Sequence, residues 1–232
     1  MKSALVLCSG GLDSVSAAFF VKKKLNYEKI TVLFFNYGQR NYAMERKCSE
    51  QCAKELDAEF FELDLKQLGA ISTSLLNSGE DYKHLKKEDL KNTREESDKW
   101  YVPSRNLIFL SYAISFAESL MIKSSEIYDI FVGFKNEGTE PFLDATATFV
   151  EAMNRVSEVS SKGKFKIIAP LIEKDKEDIV NLARGLGVDF AKTFSCYVGM
   201  EKHCGTCLAC RLRQQGFYWA GVEDPTEYLS SD

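Results

Sequence analysis

The stretch "LVLCSGGLDSVSAAFF", residues 5–20, constrains the fold of this chain more than any other. An apolar run breaks on two adjacent glycines and resumes with helical spacing. No polar residue alternates within "SALVLCS", so it reads as a strand buried on both faces. From Ser14 to Leu25 the pattern is that of a helix. A buried strand, a Gly-Gly turn and a helix start in so short a span open a βα unit of a parallel sheet. In such sheets ligands sit beyond the carboxyl ends of the strands, where helices begin, and "CSGGLDS" occupies that place.

The following segments repeat the unit. "KITVLFFNYG" is a second buried strand ending in a Tyr-Gly turn. "YAMERKCSEQCAKELDA" sets Met44, Cys48, Cys52 and Leu56 four apart, one helix face with charges on the others, which makes Cys48 and Cys52 core residues. "EFFELDL" is a third strand. Strand-helix-strand-helix-strand spacing implies right-handed crossovers and a parallel sheet. Residues 77–99 are almost wholly polar and read as a solvated helix with loops or a mobile flap, with His84 a surface residue. "VPSRNLIFLSYAISFAESL" reads as a turn and a largely buried helix, "IYDIFVGF" as a fourth strand and "DATATFVEAMNRVSEV" as a helix. "FKIIAPL" is a short strand, and "KDKEDIVNLARGLGV" an amphipathic helix stopping at Gly187. The boundary to the tail falls near Phe190, giving an α/β domain over 1–190 and a tail over 191–232.

The chemistry of the first turn has two readings. Gly10 and Gly11 allow positive φ and close approach, so successive amides can form an anion nest. The helix start adds free N–H groups and positive partial charge, and Ser9 and Ser14 add hydroxyls, a set that suits phosphate or pyrophosphate. A plain βα turn capped by Asp13 or Ser14 accounts for the same residues, and local chemistry leaves both open. Neither G-x-x-x-x-G-K-[ST] nor G-x-G-x-x-G occurs.

Four of the seven cysteines, Cys196, Cys204, Cys207 and Cys210, crowd the C-terminal region with spacers of seven, two and two residues. Two-residue spacers let consecutive thiolates meet one ion at about 2.3 Å, and four thiolates make a closed, structural zinc site. An iron–sulfur cluster is the rival, but here the fourth cysteine lies upstream and no Cys-Pro follows. Disulfides do not suit the expected compartment, and His203 is left out of the ligand set.

Ser-Gly-Gly-x-Asp-Ser after an N-terminal strand resembles the pyrophosphatase loop (PP-loop) of ATP-dependent enzymes that adenylate their substrates. That resemblance implies a Rossmann-like open parallel sheet with helices on both faces, here with a C-terminal zinc-binding helical tail. It also implies a nucleotide-binding stretch of Cys8, Ser9, Gly10, Gly11, Leu12, Asp13, Ser14 and Val15. The loop would hold the β- and γ-phosphates of ATP, with Asp13 near Mg2+ and Ser14 beside it. Taken with "VLFFNYGQR", "VPSRNLIFLS", "APLIEKDKEDIV", "TFSCY" and "RLRQQGFYWAGVEDPTEYL", the chain resembles the 7-cyano-7-deazaguanine synthases of the queuosine pathway, end to end and in the same order.

This second resemblance implies conversion of 7-carboxy-7-deazaguanine and ammonia to a nitrile through adenylated carboxylate and amide. Tyr37, Gly38 and Gln39 would lie near the adenosine, and Arg105 and Asn106 beside ATP or substrate. Lys176 would neutralise developing phosphate charge, while Zn2+ would be structural and the enzyme a homodimer. Read on their own, Lys176 is equally a surface lysine at a helix start, and Arg40 with Glu45 an ordinary surface salt bridge.

Two departures stand out. The family's Gly-Tyr-Pro-Asp-Cys-Arg stretch is replaced by "GFKNEGTEPFLDATATF", which keeps Asp144, and Ser104 stands where glycine is usual. An amide ligase joining the acid to another amine, or a zinc-stabilised binding module, are the alternatives. Net charge is −4 with 45% apolar residues, which offers no electrostatic case for nucleic acid. "NLIFLSYAISFA" is too short to cross a bilayer, so a cytoplasmic, soluble enzyme is expected.

Overall fold

The computed structural model describes residues 2–136 and 142–230. Its first strand, β1 (Ser3–Leu7), leads into α1 (Leu12–Lys23), and β2 (Lys29–Asn36) into α2 (Tyr42–Glu55). Next come β3 (Glu59–Asp64), a short α3 (Lys66–Ala70), α4 (Arg94–Trp100), α5 (Arg105–Ser124) and β4 (Tyr128–Phe131). The chain continues with α6 (Ala147–Ser160), β5 (Ile167–Ile168), α7 (Lys176–Gly185) and α8 (Leu208–Ala220).

The five strands form one sheet in the order β3-β2-β1-β4-β5, every pair parallel. Strand alternation distributes the core to both faces. Ala4 and Val6 of β1, with Ile30 and Val32 of β2, pack against α1 and α7; Leu5 and Leu33 pack toward α5 and α6. This is the layered α/β sheet that the sequence implies. Because the chain steps outward from β1 to β3 and then returns to β4 on β1's other side, a crevice opens above the carboxyl ends of β1 and β4.

One expectation changes. Helix α5 is not largely buried: Leu110, Ala113, Ile114 and Ala117 face the core, but Leu107 and Tyr112 are exposed and Ile122 is 70% exposed. Its full length of 20 residues also makes it long and apolar enough to cross a membrane by length and composition, which the shorter quoted stretch is not. Hydropathy records apolar character all round a helix, whereas the sheet covers one stripe of it. Residues 77–99 follow the first of their two readings, a helix with loops: a 3-10 turn over Lys87–Lys91 and the helix α4, with Leu85 and Trp100 buried beneath. His84 is exposed, as the sequence implies, and its Nδ1 lies 3.0 Å from the Thr206 hydroxyl.

After α8 the chain returns along the tail, held by a buried ion pair. Arg213, wholly enclosed, lies 3.3 Å from Asp224 and also donates to Thr193 Oγ1 at 2.8 Å and Phe190 O at 3.1 Å. Tyr228 OH donates to the same carboxylate at 2.5 Å. Burial opposes the charge on Asp224, but Arg213, Tyr228 and Thr226 outweigh it and lower its pKa. This accounts for the Asp-Pro-Thr in the sequence. Removing the carboxylate strands a buried guanidinium, so Asp224→Ala should lose about 3–5 kcal/mol of stability in denaturant titration.

Candidate active site and metal centre

The crevice is a cleft of about 320 Å3. Its floor is the turn after β1. Gly10 has φ +77°, and a Cβ there would lie 2.5 Å from the Glu45 carbonyl oxygen and 2.8 Å from the Ser49 amide nitrogen of α2. Only glycine lets the turn press onto that helix. Gly11 differs from the expectation: its φ of −75° is ordinary, and it is the residue from which α1 starts. Neither Asp13 nor Ser14 caps α1, and among the described residues no side chain bonds its first amides. Those N–H groups have no intrahelical acceptor and sit at the positive end of the helix, so the turn has the chemistry of an anion site rather than a capped βα corner. The Ser14 hydroxyl lies 3.2 Å from both the Ser9 amide and the Ser9 hydroxyl.

Asp13 and Lys176 meet across the cleft, with Nζ 2.7 Å from each carboxylate oxygen. Lys176 is the first residue of α7 and no surface lysine; its stem runs past Gly216 of α8, where a Cβ would come within 2.2 Å of Lys176 Cγ. Sequence reasoning missed Gly216, although a lone glycine inside a helix costs about 1 kcal/mol and usually has a packing reason.

On the opposite wall the Asn106 amide donates to Asp144 Oδ2 at 3.1 Å and its side chain to the Asp144 carbonyl at 3.0 Å. Arg105 lies over the Tyr37 ring at 5.6 Å and donates to its hydroxyl at 3.4 Å. Burial pushes the Tyr37 hydroxyl up to about 12, so it stays protonated at neutral pH. Ser104, just before α5, has φ +53°, which explains why glycine is usual there. Residues 137–141 of the altered segment lie outside the described residues.

Of the expected nucleotide-binding residues, Cys8, Ser9, Gly11, Leu12, Asp13, Ser14, Tyr37, Arg105 and Asn106 line the cleft. Gly10 and Gly38 shape the backbone behind that lining, and Val15 belongs to the core between α1 and the sheet. Arg40 and Glu45 do not form a surface salt bridge. Arg40 donates to the carbonyls of Val198 and Glu80 at 3.0 and 3.1 Å, tying the turn after β2 to the tail. Glu45 turns into the cleft wall instead, held by Gln39 and Asn41. Burial raises its carboxyl to about 7 against the pull of Gln39, Arg105 and Asn41.

The four tail cysteines are all buried, and their sulfurs lie within 4.8 Å of one another. Bonds of about 2.3 Å to a tetrahedral ion place sulfurs about 3.8 Å apart; Cys204 and Cys210 are 3.8 Å apart. Backbone amides of Val198 and Cys204 point at Cys196 Sγ, both at 3.4 Å, and those of Thr206 and Cys207 at Cys204 Sγ, at 3.4 and 3.2 Å. Such donors stabilise thiolate charge, and the donor set fits zinc. His203 stands outside the cluster. Burial, then Arg213, lower it to about 4, and its neutral Nε2 accepts from the Ser195 amide at 3.0 Å.

The knuckle also holds one wall of the cleft. Leu85 N donates to Thr206 O at 2.9 Å, Arg211 Nε donates to Leu85 O at 2.7 Å, and Trp100 packs on Tyr197 at 5.1 Å. Trp100, Tyr101 and Val102 then face the cleft beside Tyr197 and Leu208.

A family model described as "Queuosine biosynthesis protein QueC" matches residues 3–221. The chain belongs to this family. A relative from Methanothermobacter thermautotrophicus, described as a 7-cyano-7-deazaguanine synthase, is 35% identical, covering 97% of this chain and 98% of its own. Relatives under the same description from Methanobrevibacter smithii and Rickettsia bellii are each 36% identical, covering 98% and 99% of both chains respectively. Like those relatives, this QueC-family chain is a synthase-type enzyme.

Gly10→Ala should cost about 2–3 kcal/mol, since it combines a strained φ with a backbone clash, and should abolish nucleotide retention measured by equilibrium dialysis. Cys207→Ser should lose its bound metal by elemental analysis and lower Tm by about 10 °C or more, because a structural ion contributes folding free energy.

Proposed function

We propose that this chain converts 7-carboxy-7-deazaguanine and ammonia to 7-cyano-7-deazaguanine with ATP, as an ATP-dependent C–N ligase. The observation that carries the reading is the cleft floor, where the uncapped start of α1 and the Asp13–Lys176 pair face one another beneath Arg105 and Asn106. Full-length similarity to chains described by that product favours it over an amide ligase or a binding module.

A carboxylate resists amine attack because oxide is a poor leaving group. In this reading its oxygen attacks the α-phosphorus of ATP and pyrophosphate departs. Ammonia then displaces AMP to give the amide. A second adenylation, on the amide oxygen, lets the nitrogen lose its protons as AMP leaves, forming C≡N.

The amides of Gly11, Leu12 and Asp13, with the Ser9 and Ser14 hydroxyls, would cradle the departing phosphates. Lys176 would meet the charge that develops on them, and Asp13 would be the residue to hold Mg2+. When bound, Mg2+ would neutralise pyrophosphate charge, and one carboxylate plus phosphate oxygens is its ordinary donor set. Tyr37 and Gly38 would border the adenosine, and the aromatic wall of Trp100 and Tyr101 would exclude water. Division into a nucleotide-binding unit, 1–190, and a zinc-bearing tail, 191–232, belongs to the same reading, as does pairing of two copies in the cytoplasm.

Incubation with the acid, ATP and ammonium should release two pyrophosphates per molecule of product, with the nitrile identified by mass spectrometry. No acid-dependent pyrophosphate release, or amide alone at saturating ATP, would refute the assignment.

A further inference from the structure

Among the described residues, three carboxylates line the cleft: Asp13, Asp144 and Glu45. Both oxygens of Asp13 are taken by Lys176, and Asp144 is pinned to the Asn106 amide. Glu45 is different. Among the described residues it makes no ion pair; Gln39 Nε2 donates to one oxygen and Asn41 Nδ2 to the other, each at 3.0 Å.

The two amides cannot turn to offer anything else. Gln39 Oε1 already accepts from the Tyr37 amide at 2.9 Å, and its nitrogen also donates to the Phe35 carbonyl at 3.0 Å. Asn41 Nδ2 also donates to the Cys196 carbonyl at 3.0 Å, while its Oδ1, fully buried, has no partner among the described residues. Glu45 is therefore fixed in place by neutral donors, and each oxygen keeps lone pairs for the cleft. The ionisable groups facing it are Arg105 from α5, Cys8 after β1, Tyr37 after β2 and Cys48 in α2. The one cation among them, Arg105, is engaged with the Tyr37 hydroxyl.

Ammonia reaches a neutral-pH enzyme mostly as ammonium, which carries four donors and no lone pair. It needs an acceptor at the reacting carbon and a base to free its nitrogen.

Resting on the reaction proposed above, we propose that Glu45 is the residue that receives ammonium and removes its proton. One proton passes from ammonium to the carboxylate. The freed pair forms the C–N bond to the acyl carbon, and the C–O bond to AMP breaks with its pair on the phosphate oxygen. The new amide nitrogen sheds its second proton to water, and Glu45 returns its own proton to water. The raised carboxyl, near 7, matches this duty, because an acceptor poised near the working pH both takes and releases protons.

The test compares zinc-loaded parent, Glu45→Gln and Glu45→Asp as full chains. Glu45→Gln should keep the adenylation half-reaction, read as acid-dependent ATP–pyrophosphate exchange within about twofold of parent. Its KM for ammonium at pH 7 should rise more than about tenfold, and the defect should shrink as pH approaches 9 and free ammonia accumulates. Hydroxylamine, already neutral at pH 7, should react at near-parent rate, and Glu45→Asp should regain part of the ammonium affinity. An unchanged ammonium dependence and pH profile in Glu45→Gln would overturn the proposal. So would loss of exchange together with a raised KM for the acid, which would make Glu45 a partner of the deazaguanine's own N–H donors. If the parent itself shows no exchange, the overall reaction fails and this assignment with it.

Discussion

The backbone of Gly10 touches two other parts of the chain at once, and the site depends on that contact. On one side it presses against the Glu45 carbonyl and Ser49 amide of α2; on the other its carbonyl accepts from Phe194 N at 2.9 Å. The turn after β1, the helix after β2 and the tail therefore share one close-packed point. Ser49 Oγ donates to Cys8 O at 2.9 Å and secures the same junction. Rigidity here holds the α1 amides in place before any anion arrives, which is what makes a backbone cradle effective.

A second dependence runs from the four-cysteine knuckle to the cleft. Residues 77–99 are too polar to stabilise themselves; their order comes from Leu85, bracketed by Thr206 and Arg211, and from Trp100 against Tyr197. Cys207 also sets the start of α8, whose Leu208 and Leu212 line the cleft and whose Gly216 admits Lys176. The tail is thus built into the cleft wall, and the four clustered sulfurs stand within one packed core with Leu5 and Leu33 of the sheet.

Much of this was legible from spacing. The Gly-Gly turn after a buried strand located the site, and the four cysteines with short spacers foretold their own cluster, because both signals are local. Glu45 was visible only as a charge near a Gly-Gln-Arg turn, where a surface pair with Arg40 was an equally good reading. Its raised carboxyl arises from packing against residues distant in sequence. Helix α5 misled for a related reason: its apolar residues encircle it, and the sequence does not say which stripe the sheet covers. Lys176 and Asp13, 163 residues apart, carried no mutual signal at all.

What the chain's order of residues determined by itself is the parallel sheet, the position of the glycine turn and the four-cysteine cluster, since each follows from periodicity, φ freedom or cysteine spacing over a few residues. The tertiary structure decided which charges meet: Lys176 with Asp13 and Arg213 with Asp224, while Glu45, among the described residues, is held by neutral amides with Arg105 facing it. Those meetings depend on distances in space that only the folded chain defines.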